Sequence, residues 1–212
     1  RAIIGPNGAG KTTLFNVMSR IYDPTQGRII FNGVDLLSLS PHEISQTGIA
    51  RTFQNLALWP RMTVAENVMA GAHIKGKQNF FSAMARIGLQ TEERDLRQKS
   101  YETMEMLNLL EHAEKPCDGL PFGTMKRIEL ARALVSNPKL LLLDEPATGL
   151  THSEVGELSE VIISIRKNFD LTILLVEHHM GMVMSIMTII NTVMGTVMGT
   201  GTGMGTGMGM GM

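Results

Sequence analysis

Cysteine is almost absent: Cys117 is the single one in 212 residues. One thiol cannot close a disulfide within the chain, so no disulfide framework is expected, and the count fits a reducing compartment. A surplus of one charge sign is missing as well. The 19 Lys and Arg face 20 Asp and Glu, a formal net charge of −1. That balance excludes the broad basic face of a general nucleic-acid binder, so no nucleic-acid partner is expected. No apolar run reaches the roughly 17–25 residues that span a bilayer, and no signal peptide is visible. What remains is 43% hydrophobic. That is enough for one α/β core, with or without a subdomain.

The two ends are poor in ordinary sequence. The chain starts on Arg1, inside a strand-like run, which reads as a truncation. From about Gly195 it reduces to Gly, Met and Thr repeats ending in Gly209-Met210-Gly211-Met212. Glycine carries a large ordering entropy, and methionine specifies no unique packing. The expectation is a domain over 1–194 and a low-complexity tail over 195–212 that stays disordered and adds no site residue.

What is present begins with Gly5-Pro6-Asn7-Gly8-Ala9-Gly10-Lys11-Thr12. It fits G-x-x-x-x-G-K-[ST], the phosphate-binding loop. Glycines let the backbone curl so that several N–H groups point inward at an anion. Lys11 brings positive charge to the outer phosphates, and the Thr12 hydroxyl suits Mg²⁺. The flanks agree: 2–4 reads as the end of a buried strand and 13–19 as a helix whose N-terminus favours phosphate. Candidate nucleotide contacts are therefore Gly5, Pro6, Asn7, Gly8, Ala9, Gly10, Lys11, Thr12 and Thr13.

Downstream, 23–27 is turn chemistry, 28–31 a short strand, and Asn32-Gly33 a tight hairpin turn. A small antiparallel element follows from these. A short helix is expected over 41–46 and a strand over 49–53 that runs into Gln54. From about 62 to 136 the pattern is helical and reads as an inserted subdomain. Thr63 with Glu66 fits a capping box opening a helix over 64–70. A second helix is expected over 79–87. In a third, Leu96, Ser100, Thr103 or Met104, and Leu107 recur at helical spacing. A helix over 126–136 turns Ile128, Ala131, Leu134 and Val135 inward and ends at Asn137-Pro138. The leucine run 140–143 marks a strand buried on both faces of a parallel sheet. Thr151 and Glu154 form another capping box, before a helix with Val155, Leu158, Val161, Ile162, Ile165 and Phe169 on one stripe. A further buried strand covers 171–176. The strand–helix–strand order implies an α/β fold with a parallel core sheet.

Ligands in such sheets bind outside the carboxyl ends of the strands. Those ends deliver Gln54, Asp144 with Glu145, and Glu177 with His178. An acid after four leucines needs a partner, and Mg²⁺ held by Thr12 and phosphates suits Asp144. Glu145 then stands where a general base polarises an attacking water.

This ordered set resembles the ATP-binding subunit of ABC transporters, a P-loop NTPase fold. Gly5 to Thr12 matches the Walker A loop, and Gln54 in Arg51-Thr52-Phe53-Gln54-Asn55 the Q-loop. Leu140 to Glu145 matches Walker B with its glutamate, Ala147 to Thr151 the D-loop, and His178 the switch histidine. Leu120-Pro121-Phe122-Gly123-Thr124 takes the place of the L-S-G-G-Q signature and shares Leu120 and Gly123 with it; Thr124 stands where glutamine is usual. The Pro-aromatic-Gly variant, Asn67-Val68-Met69 and Val176-Glu177-His178-His179-Met180 look like the subfamily serving branched-chain amino-acid importers.

The resemblance implies ATP and Mg²⁺ as cofactors. It implies Glu145, His178 and Lys11 as catalytic, Thr12, Gln54 and Asp144 as metal ligands, and Gln54, Gly123 and Thr124 as further nucleotide contacts. It also implies two subunits closing head to tail around two ATP molecules, as a homodimer or with a related second ATPase. Membrane permease subunits would dock near the Q-loop and the helical segment, at the cytoplasmic face of a bacterial inner membrane. The alternatives are a nucleotide-binding fragment without turnover, a soluble non-transport ABC ATPase, and a P-loop kinase.

Overall fold

The computed structural model describes residues 2–6, 8–52, 56–72, 89–169 and 171–187. Asn7, Gln54, the helix expected over 79–87 and the tail over 195–212 lie outside these residues. In chain order the elements are β1 (Ala2–Ile3), α1 (Lys11–Met18), β2 (Ile30–Phe31), β3 (Val34–Asp35), α2 (Pro41–Ile44) and β4 (Ile49–Arg51). Then follow α3 (Val64–Ala72), α4 (Leu89–Met106), α5 (Phe122–Leu134), β5 (Leu140–Asp144), α6 (His152–Asn168) and β6 (Thr172–Val176). Residues 180–187 are helical again.

One sheet runs in the order β1-β6-β5-β4, and all its pairs are parallel. The leucine run forms the centre, with β5 buried at every position. Strand side chains alternate between faces. Leu141 and Leu143 accordingly enter the larger core with Ile128, Leu158 and Ile162. Leu140 and Leu142 enter the smaller one with Phe15, Leu36 and Ile49. The register sets Asp144 opposite Val176 and Arg51 opposite Leu142. The polar residues that follow these parallel strands therefore emerge together, at the strands' carboxyl ends.

The hairpin is β2 paired with β3. Asn32 and Gly33 hold φ of 49° and 81°, the double positive φ of a type I′ turn. Both expected capping boxes form. Thr63 N and Oγ1 bond Glu66, and Thr151 N and Oγ1 bond Glu154. In α4 both Thr103 and Met104 are buried, together with Ser100. Cys117 is buried and accepts a bond from Asn67 Nδ2 at 3.2 Å. Burial pushes its thiol pKa up, which keeps it protonated and inert.

Several boundaries differ from expectation, and three of these lie at or beside candidate site residues. Helix α1 starts at Lys11 rather than Thr13, because Gly10 takes a left-handed conformation (φ 80°) and turns the chain straight into the helix. Helix α5 starts at Phe122 rather than Lys126. Gly123 and Thr124 lower helix propensity, but the turn is held by its packing: a Cβ on Gly123 would lie 2.9 Å from Glu154 Oε1. Strand β4 ends at Arg51, although Thr52 N still donates to Leu142 O at 3.0 Å.

Candidate active site

The loop from Gly5 to Gly10 joins β1 to α1. Gly8 and Gly10 hold φ of 81° and 80°, and a Cβ at either would meet nothing within 4 Å. Glycine is required there by backbone conformation, not by crowding. Lys11 Nζ donates to Gly5 O (2.7 Å) and Pro6 O (2.8 Å), which folds the ammonium over the loop. Helix α1 has no side-chain cap bond and no acid in its first turn. Its first N–H groups and the positive end of its dipole thus suit an anion.

Asp144 ends β5 beneath this loop, 1% exposed. Thr12 Oγ1 donates to its Oδ1 at 3.4 Å, and Arg51 Nη2 donates to its Oδ2 at 2.8 Å. The next residue, Glu145, holds φ of 48°, a conformation rare for a residue with a side chain. Its N–H donates to Val176 O at 2.8 Å, which fixes that turn against the end of β6. Strained residues of this kind persist where the surroundings over-determine them, and they cluster at functional sites. His178 follows β6 with its side chain 55% exposed. Its Nδ1 lies 3.9 Å from Glu145 Oε2 and 3.5 Å from Glu177 Oε1.

The structure thus brings Lys11, Thr12, Asp144, Glu145 and His178 together at the carboxyl ends of the sheet's strands. Gly123 and Thr124 are elsewhere, in the first turn of α5, which packs chiefly on α3. Thr124 is buried, and its Oγ1 accepts from Arg127 Nη2 at 3.4 Å. The Glu154 carboxylate reaches the Gly123 N–H as well as Thr151, and these bonds lower its pKa, those to Thr151 foremost.

Sequence reasoning gave no role to two residues near these strand ends. Arg51 was read only as part of the strand over 49–53 and as the first residue of the run that resembles the Q-loop. Glu177 is fully buried, and its carboxylate accepts from three backbone N–H groups. They belong to His178 (2.9 Å), His179 (3.0 Å) and Ala147 (3.2 Å). It ties the segment after β5 to the segment after β6. The available signal was an acid directly after a buried strand, which must find donors.

Comparison with known proteins agrees with this geometry. Residues 1–148 match the model of the family described as ABC transporter. This chain belongs to the ABC transporter family. The cassette is 39% identical over 186 residues to the high-affinity branched-chain amino acid transport ATP-binding protein LivG of Escherichia coli (strain K12), covering 87% of this chain and 73% of LivG. It is 38% identical over 186 residues to the corresponding protein BraF of Pseudomonas aeruginosa, with the same coverage. Among solved structures it resembles the ADP conformation of an ATP-binding cassette from an ABC transporter. The TM-score is 0.73 at 31% identity, over 87% of this chain and 72% of that one. A nucleotide-free cassette gives a TM-score of 0.72 at 31% identity. The cassette is an ATPase of this family, an α/β nucleotide-binding fold with a parallel sheet and a separate antiparallel pair.

Proposed function

We propose that this cassette binds ATP with Mg²⁺ and hydrolyses it to drive an importer of branched-chain amino acids. The observation that carries this reading is the convergence of the loop lysine, a buried aspartate, a backbone-strained glutamate and a histidine at the carboxyl ends of the strands. The relatives that carry branched-chain amino acid transport in their names support the solute class. Gly5 to Thr13 cradle the phosphates, with the α1 N-terminus behind them. Lys11 exchanges its loop carbonyl partners for phosphate oxygens. Thr12 Oγ1 and Asp144 Oδ1 are hard oxygen donors 3.4 Å apart, a pair that fits Mg²⁺. When bound, that ion supplies charge neutralisation of the phosphates. Glu145 orients the attacking water and accepts its proton at the carboxylate, and His178 stabilises charge on the γ-phosphate. Gln54 completes the metal and nucleotide contacts.

In this reading Gly123 and Thr124 meet the nucleotide of a second cassette, whether a like copy or a related ATPase. The helical segment over about 62–136 is the subdomain that faces membrane permease subunits. No helix among the described residues is long and apolar enough to cross a membrane. The cassette is then peripheral, at the cytoplasmic face of a bacterial inner membrane. Leucine uptake into vesicles holding the permeases and this cassette tests the reading: uptake that needs ATP supports it, and uptake without ATP or none with it overturns it. Lys11→Ala removes a charge-assisted contact worth about 1.5–3 kcal/mol. Nucleotide affinity is expected to fall at least about tenfold. A fluorescence titration giving equal affinities would discard the loop assignment.

A further inference from the structure

Asp144 is buried at the end of an all-leucine strand, and Arg51 partners it from the neighbouring strand. Both side chains are sequestered, Arg51 7% and Asp144 1% exposed. The guanidinium reaches three ways. Its Nη2 bonds Asp144 Oδ2 at 2.8 Å. Its Nη1 bonds Asn16 Oδ1 at 2.8 Å and Ser19 Oγ at 3.3 Å. Its carbon stands 5.6 Å from the centre of the Phe15 ring. Asn16, Ser19 and Phe15 belong to α1 or follow it directly, and α1 is the helix that carries Lys11 and Thr12. One planar cation thus fixes the distance between the aspartate and the helix of the phosphate loop. A flexible ammonium offers no such rigid fork.

The two carboxylate oxygens are divided by this arrangement. Oδ2 belongs to Arg51, and Oδ1 faces Thr12. We propose that Arg51 is a positioning residue that holds the Asp144 carboxylate so that Oδ1 and Thr12 Oγ1 form a prepared oxygen pair for Mg²⁺. It touches neither nucleotide nor metal. Partners that orient a metal ligand govern affinity through that ligand, and their loss costs about 10–100-fold in metal binding. The inference rests on the proposed Mg²⁺ role of Asp144 and Thr12, and it predicts a selective defect. Nucleotide held by the Lys11 loop alone is indifferent to Arg51, whereas the metal-dependent part of binding is not.

The test is a titration with a fluorescent ATP analogue, first in EDTA and then with increasing Mg²⁺. Arg51→Gln is expected to leave the EDTA Kd within about twofold of the parent and to raise the half-saturating Mg²⁺ at least about tenfold. Asn16→Ala keeps the ion pair but loosens its anchor, so a smaller rise in the same direction is expected. It decides the matter should Arg51→Gln not fold. Equal weakening in EDTA and in Mg²⁺ would make Arg51 a fold residue only and overturn the proposal. So would an unchanged Mg²⁺ requirement, and so would a lowered one, which would mean that Arg51 competes with the metal. A parent protein indifferent to Mg²⁺ would overturn the site reading and this inference together. A responsive parent with equally responsive variants would overturn this inference alone.

Discussion

Glu145→Gln is expected to bind ATP as the parent does while turnover falls by about 10²–10⁴-fold. Glutamine keeps the size of the side chain and its capacity to accept the bond from Thr148 Oγ1, which lies 3.4 Å from Glu145 Oε2. The backbone N–H to Val176 O is untouched, so the turn with φ of 48° stays in place. What is lost is the basic oxygen 3.9 Å from His178 Nδ1. In the proposed reading, binding rests on the Lys11 loop and the α1 N-terminus rather than on this carboxylate. The variant therefore separates binding from chemistry. In the family's closing scheme, unhydrolysed ATP should also hold two cassettes together, visible as an earlier peak in size-exclusion chromatography. A nucleotide titration and a phosphate-release assay on the same sample check the prediction. Parental turnover would reduce Glu145 to the residue that begins a turn.

Parts of this site were legible because their chemistry is local. The phosphate loop is contiguous, and its Gly8 and Gly10 stand where φ is positive. The leucine run has the mark of a strand buried on both faces, which places the acids following it at the strand's carboxyl end. The Asn32-Gly33 turn and the two Thr/Glu capping boxes are likewise decided within four residues. The start of α5 was misread for the opposite reason. Pro121, Gly123 and Thr124 look like loop, and the contact that settles them, Glu154 beside Gly123, comes from another helix. A third capping box, Ser40 with Glu43, also went unread, although it has the same spacing. The position of Glu177 at a strand end was legible, but its partners and those of Arg51 were not. Arg51 finds Asp144 across 93 positions and Glu177 finds Ala147 across 30. Such bonds follow from strand order and register, which no local pattern prints.

Long-range packing also sets a large expected stability effect at Gly71, near the end of α3. A Cβ built there would lie 2.0 Å from the backbone oxygen of Arg132 and 2.8 Å from its carbonyl carbon. Those atoms belong to α5, the main packing partner of α3, and a helix backbone cannot yield as a side-chain tip does. Glycine here is a spacer that lets two helices touch. Gly71→Ala must separate them, opening the core of Val64, Val68, Ile128 and Leu134 between. Overpacking of this kind costs about 1–3 kcal/mol, occasionally more. For a chain of this size each kcal/mol lowers Tm by about 2–4 °C. Gly156 supplies the opposite sign. It lies inside α6, exposed, and a Cβ there meets nothing within 4 Å. Gly156→Ala relieves the glycine penalty of a helix interior and should stabilise by about 0.5–1 kcal/mol. Thermal melts of the two variants beside the parent test the pair. If Gly71→Ala melts at or above the parent, α3 and α5 do not meet as closely as described. If both variants raise Tm, helix propensity rather than interhelical contact governs these positions.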